Sequence, residues 1–200
     1  MRFWSRIALA MALFATAATG AAAETPVERG RYLVTTIGAC GNCHTPRDAA
    51  GKPVAGRELS GGFEFEDPGL GHIVGTNITP DAETGLGRFT DRQIYNALKF
   101  GLRPGETPDV VVTSTTPGQG NFPATPKYLA PPMPWPAWRH MSDAELWSIV
   151  AYLKRGVKPQ SNKNTDSDGP PDFWAGLYAQ IIGPATPPTF PTDREVAPSR

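Results

Sequence analysis

An all-α domain is what this sequence predicts. Three segments open on a Ser/Thr-x-x-Glu/Gln capping signature and continue with apolar residues at helical spacing, the stretches between them are irregular, and no strong strand pattern of period two is present. The 22 Pro and 21 Gly among 200 residues imply long irregular connections around those helices.

Arg2 and Arg6, the apolar run over residues 7–18 and the small residues 19–23 have the layout of a secretory signal peptide, with cleavage expected after Ala23. That run is shorter than the roughly 20 residues needed to span a bilayer, and no comparable run follows it. Without residues 1–23 the 19 Lys and Arg fall to 17 against 19 Asp and Glu. Such a balance lacks the polybasic character that nucleic acid or anionic lipid selects. The expected layout is a signal peptide over 1–23, one folded domain over 24–156 and a Pro-rich extension over 157–200.

The first helix opens on Thr25-Pro26-Val27-Glu28, with Pro at the first helical position. Val27, Tyr32, Leu33, Val34 and Ile37 supply a ragged apolar face, and Gly38 is the stop signal. Directly after it comes Cys40-Gly41-Asn42-Cys43-His44, a C-x-x-C-H motif of the kind that attaches c-type haem. Two residues between the thiols let one backbone turn present both sulfurs to one haem edge, and the adjoining His reaches the iron. Export would also permit a simple Cys40–Cys43 disulfide. A zinc site would need further ligands, but the chain has no third Cys, and His72 and His140 are isolated. A thioredoxin-like pair would need a βαβ pattern, which is absent.

Residues 45–75 lack a sustained period and read as a loop wrapping a cofactor, in which Phe63 and Phe65 are strand-like or haem-facing. A second helix opens on Thr90-Asp91-Arg92-Gln93, carries Ile94, Tyr95, Leu98 and Phe100 on its apolar side and stops at Gly101. Residues 104–130 form a long connection containing Val110-Val111-Val112, a candidate short strand. The third helix opens on Ser142-Asp143-Ala144-Glu145, and Leu146, Trp147, Ile149, Val150 and Leu153 follow at helical spacing up to Gly156. Eight prolines beyond Gly156 leave residues 157–200 mostly extended, with an apolar cluster over 173–182.

If haem is bound, its iron needs a ligand opposite His44, and a thioether favours the ferrous state. Met141 precedes the N-cap Ser142 and is placed to staple against Leu146. Met133 lies in Pro131-Pro132-Met133-Pro134-Trp135-Pro136, where successive prolines stiffen the backbone, as suits a weak ligand held at fixed distance. Met133 is the favoured sixth ligand over a core-filling role beside Trp135 and Trp138; His72, His140 or an open position for a small ligand are the alternatives.

Taken together, Gly30-Arg31-Tyr32-Leu33, the C-x-x-C-H motif, Thr76-Asn77-Ile78-Thr79-Pro80-Asp81, Met133-Pro134-Trp135 and residues 141–153 resemble the class I cytochrome c family. The similarity is greatest to the haem domains of alcohol and gluconate dehydrogenase cytochrome subunits. It implies an α-helical fold whose first and last helices cross beside one covalent haem c, with His44 and Met133 as axial ligands. It also suggests that Asn77 or Thr79 donates hydrogen bonds near the haem edge, the alternative being a turn capped by Thr79 with Pro80 starting a short helix. Trp135 joins Cys40, Cys43, His44, Met133, Asn77 and Thr79 as a haem-binding candidate. The family's dehydrogenase subunits string several such domains together, whereas this sequence holds one motif and is expected to lie outside the multihaem class.

The resemblance implies a periplasmic one-electron carrier working between a dehydrogenase or oxidase and a respiratory acceptor, with no independent catalytic residues. The extension, through Phe173, Trp174 and Tyr178, is a candidate docking segment for a partner enzyme or a cover for the domain itself.

Overall fold

A computed structural model describes residues 23–68, 71–130 and 132–167. The signal-peptide reading of 1–23 and the apolar cluster over 173–182 lie outside, or almost entirely outside, the described residues.

The regular structure of the described chain is mainly helical: α1 is Pro26–Tyr32, α2 is Gly41–His44, α3 is Asp91–Phe100, α4 is Trp135–Trp138 and α5 is Asp143–Arg155. All three expected capping boxes form, with Thr25, Thr90 and Ser142 each accepting from the backbone N–H three residues on and the Glu28, Gln93 and Glu145 side chains reaching back. Gly101 ends α3 in the left-handed conformation at φ 70°, which lacks steric cost only for glycine.

Helices α1 and α5 cross at Gly30. A Cβ built there would stand 1.8 Å from the Ser148 carbonyl oxygen and 2.7 Å from Tyr152 Cβ, so the absent side chain is what lets the two backbones touch. Leu33 and Val34 then meet Leu146, Ile149, Val150 and Leu153 in one core, to which α3 adds Ile94, Tyr95 and Leu98. The Arg29 guanidinium closes the rim of the crossing on Glu145 at 2.7 Å.

Tyr32 and Ile37 depart from the expected apolar face, being 46% and 59% exposed. For Ile37 the cause is a π-helical turn, Leu33–Ile37, which follows α1 and rotates later residues off the buried stripe, whereas Tyr32 lies before that turn with its ring under the Arg29 guanidinium. Thr35 and Thr36 donate their hydroxyls to the Arg31 and Tyr32 carbonyls, a back-bonding habit that bends helices.

The expectation of loop throughout 45–75 is corrected by an antiparallel hairpin, β1 Glu64–Asp67 with β2 Gly71–Val74, pairing Phe65 with Ile73. Its strands are four residues long and bury only Ile73 and Val74, too few positions for a visible period of two. Phe65 is thus a strand residue. Val110-Val111-Val112 is not a strand; it runs as irregular chain, with the Asn96 amide held on the Val110 carbonyl and Val111 55% exposed. The long connection after α3 closes at its base instead. Leu102 bridges Tyr128, Arg103 N–H donates to the Lys127 carbonyl at 2.8 Å, and Leu129 N–H donates to Gly101 at 2.8 Å.

Candidate functional site

The chain enters the cysteine motif through Gly38 and Ala39, the latter at φ 44°, an uncommon conformation for a residue with a Cβ. Cys40 then caps α2, and His44 N–H donates to the Cys40 carbonyl at 3.0 Å, so one helical turn carries both thiols and the imidazole. Cys40 and Cys43 are unpaired. Burial pushes the Cys40 thiol up to about 11, which keeps it a neutral thiol at neutral pH rather than a reactive thiolate.

His44 is held from two sides. Its ring Nδ1 lies 2.7 Å from the Thr76 carbonyl oxygen, an acceptor, so Nδ1 carries the proton and Nε2 keeps its lone pair. Its own carbonyl accepts from Gly61 N–H at 2.8 Å. Burial lowers the imidazole's affinity for a second proton, against the opposing pull of the Thr76 carbonyl, and so favours the neutral ligand form. Gly75 has no room for a side chain, since a Cβ there would lie 1.8 Å from the Cys43 carbonyl oxygen. Two adjacent unpaired thiols beside a neutral His with a free Nε2 are the donor set that covalent haem requires. Among the described residues no cluster of three His, Cys, Asp or Glu side chains is arranged to hold a metal ion.

The short helix after the methionine segment, α4, reaches the cysteine turn. A Cβ on Gly38 would sit 3.3 Å from Cys40 Sγ and 3.6 Å from the Trp138 ring, so α4 lies against the cysteine turn. Met133 and Met141 both border the main core, as does Cys40. Trp135 is buried between Gly101, whose Cβ would strike its ring at 2.1 Å, and Tyr128, which stacks on it at 5.7 Å. His72 pairs with Glu64 at 3.3 Å on the hairpin, and His140 follows α4.

Asn77 and Thr79 are buried and already engaged. Asn77 Oδ1 accepts from Thr79 N–H at 2.9 Å and from its hydroxyl at 2.8 Å, while the Asn77 amide donates to Thr84 and to the Gln160 carbonyl. Pro80 starts no helix; residues 82–84 form a turn capped by the Asp81 carboxylate, which those bonds hold below the usual carboxylate range. Sequence reasoning missed Thr76, which acts through its backbone and so has no side-chain signature. It also missed Gln160, Asn162 and Asn164, whose alternate spacing in an extended stretch was a readable sign of one face turned inward.

No family model matches the chain. In an alignment of 206 positions that covers 96% of its length, it is 30% identical to an alcohol dehydrogenase (quinone) cytochrome c subunit of Gluconacetobacter polyoxogenes. It is 29% identical over 84% of its length to a gluconate 2-dehydrogenase cytochrome c subunit of Pantoea cypripedii, and 33% identical over 72% to a fructose dehydrogenase cytochrome subunit of Gluconobacter japonicus. It covers only 38%, 34% and 24% of those three proteins.

Proposed function

We propose that this chain, related along most of its length to the cytochrome c subunits of dehydrogenases, carries one covalent haem c in a class I cytochrome c fold and relays single electrons outside the cytoplasm. The observation that supports this best is the 2.7 Å contact of His44 Nδ1 with the Thr76 carbonyl, because it leaves Nε2 available beside two unpaired thiols. Haem, when bound, supplies the one-electron couple; Cys40 and Cys43 would tether it, and His44 and Met133 would hold its iron. The residues around it exclude water and orient the ring rather than perform bond chemistry.

A fixed subunit of a dehydrogenase complex is favoured over a freely diffusing carrier, since all three relatives are named as subunits. Residues 24–156 form the proposed haem domain behind an export signal over 1–23, and no described helix is long and apolar enough to cross a membrane. Purification of the native protein with its companions tests the reading. One alkaline-pyridine haem signal per chain that survives acid-acetone extraction, and reduction of that haem when a co-purifying dehydrogenase receives its substrate, are expected. Absence of covalent haem refutes it.

A further inference from the structure

Beyond α5 the chain does not leave the domain. Residues 160, 162 and 164 are half-buried while 161, 163 and 165 are exposed, so an extended strap lays alternate side chains on the domain. What it lies on are the two backbone segments that hold His44.

The Asn162 amide donates to the Ser60 carbonyl at 2.9 Å, and the Asn164 amide adds a second donation at 3.4 Å. The other end of that same Ser60–Gly61 peptide donates its N–H to the His44 carbonyl at 2.8 Å. On the imidazole side, Gln160 accepts from the Asn77 amide at 2.7 Å, and its N–H donates to Thr79 at 3.2 Å. Asn77 directly follows Thr76, whose carbonyl holds His44 Nδ1. The two held segments touch each other at Gly61, which sits at φ 76°. A Cβ there would be 2.2 Å from the Asn164 amide, 2.5 Å from Asn77 N and 2.5 Å from the Thr76 carbonyl carbon. Hydrogen-bonded peptides in series polarise one another, so the strap strengthens the Gly61 bond to the His44 carbonyl and fixes the Thr76–Asn77 segment that contacts the imidazole.

We propose that Gln160, Asn162 and Asn164 are positioning residues for His44: the strap holds the Thr76 carbonyl on the imidazole and thereby tunes the iron. This rests on the haem reading above. A well-held Nδ1–H···O bond makes the imidazole a stronger donor and favours ferric iron, so loosening the strap raises the midpoint potential.

The test uses the full-length holoprotein as Asn164→Ala, Asn162→Ala and the double variant, with Arg29→Ala, which cuts the α1–α5 ion pair and none of the strap's bonds, as the stability control. Covalent haem is quantified first; its absence from the native protein sinks the haem reading, whereas its retention in the variants leaves the strap itself under test. The expected result is His44 Nδ1–H exchange in the reduced state about tenfold faster than native, normalised to global amide exchange, together with a raised potential. Arg29→Ala shifts neither. Unchanged Nδ1–H exchange and potential in the strap variants, or equal changes in the control, overturn the proposal. Should the double variant not fold, Asn164→Ala, which loses only the 3.4 Å bond, carries the same comparison.

Discussion

Replacing Gly30 by Ala tests the helix crossing on which the domain is built. The new Cβ would stand 1.8 Å from the Ser148 carbonyl oxygen, where contact requires about 3.3 Å. Helices α1 and α5 must therefore part by about 1.5 Å at that point. A gap of roughly 0.5–1 Å already forfeits a quarter to a half of each dispersion contact, and Leu33, Val34, Leu146, Ile149 and Val150 all lie in that core. Overpacking of this kind costs about 1–3 kcal/mol and sometimes more. Helix propensity returns about 0.8–1 kcal/mol in favour of Ala. Because the blocking atom is backbone, the upper end of the range applies, and a net loss of about 2 kcal/mol is expected. For a domain of this size that lowers Tm by roughly 4–8 °C. Urea titration of the holoprotein, followed by circular dichroism at the helical band, measures it. Gly51→Ala is the comparison, since nothing lies within 4 Å of its added Cβ and only its φ of 75° is strained. A Gly30→Ala protein as stable as native would refute the close crossing.

In the oxidised protein, Met133→Ala should abolish the far-red absorption of a Met–iron bond while Met141→Ala keeps it; the reverse result moves the ligand. Gly101→Ala should destabilise by about 2 kcal/mol or more, through its left-handed φ and the Trp135 ring at 2.1 Å, and should weaken that same far-red absorption by displacing the Met133 segment. Burial pushes the Glu145 carboxyl up, but Arg29 and the Ser142 bonds outweigh it and hold it below its ordinary 4.5. Glu145 therefore contributes stability above pH 4.5 that is lost as pH falls through its lowered native value; Glu145→Gln should flatten that part of the pH dependence of the urea midpoint, and an unchanged slope would show that the pair contributes nothing.

Helix ends were legible because caps are local chemistry: Thr25, Thr90 and Ser142 with their partners three residues on mark the starts of α1, α3 and α5. The cysteine turn was legible for the same reason, with Cys40, Cys43 and His44 inside one turn of backbone. What holds His44 was not, since a carbonyl at Thr76 and an N–H at Gly61 look alike in every sequence until the fold brings them near. The hairpin over residues 64–74 escaped because a four-residue strand with charged Glu64, Glu66 and Asp67 shows almost no alternation of apolar positions. The strap was read only as part of a mostly extended tail, covering either a partner or the domain, because proline density predicts extended backbone without saying what that backbone lies against. Asn77 and Thr79 were expected to donate near a haem edge, and their side-chain bonds run to Thr84, to one another and to Gln160.

The base of the long connection after α3 has a consequence for how the chain tolerates change. Arg103 and Lys127 are pinned across from each other, and Gly101 and Leu129 directly outside them, so the residues between form a closed excursion whose two ends leave and rejoin the domain at one point. Closing such a loop costs only about 0.6 kcal/mol more for each doubling of its length. Shortening, lengthening or replacing the exposed residues 115–121, with the Val110 carbonyl kept on Asn96 and the buried Phe122 kept against Phe100, would then leave the delivery of the chain to Met133 almost untouched, making this the place where related proteins can diverge in surface.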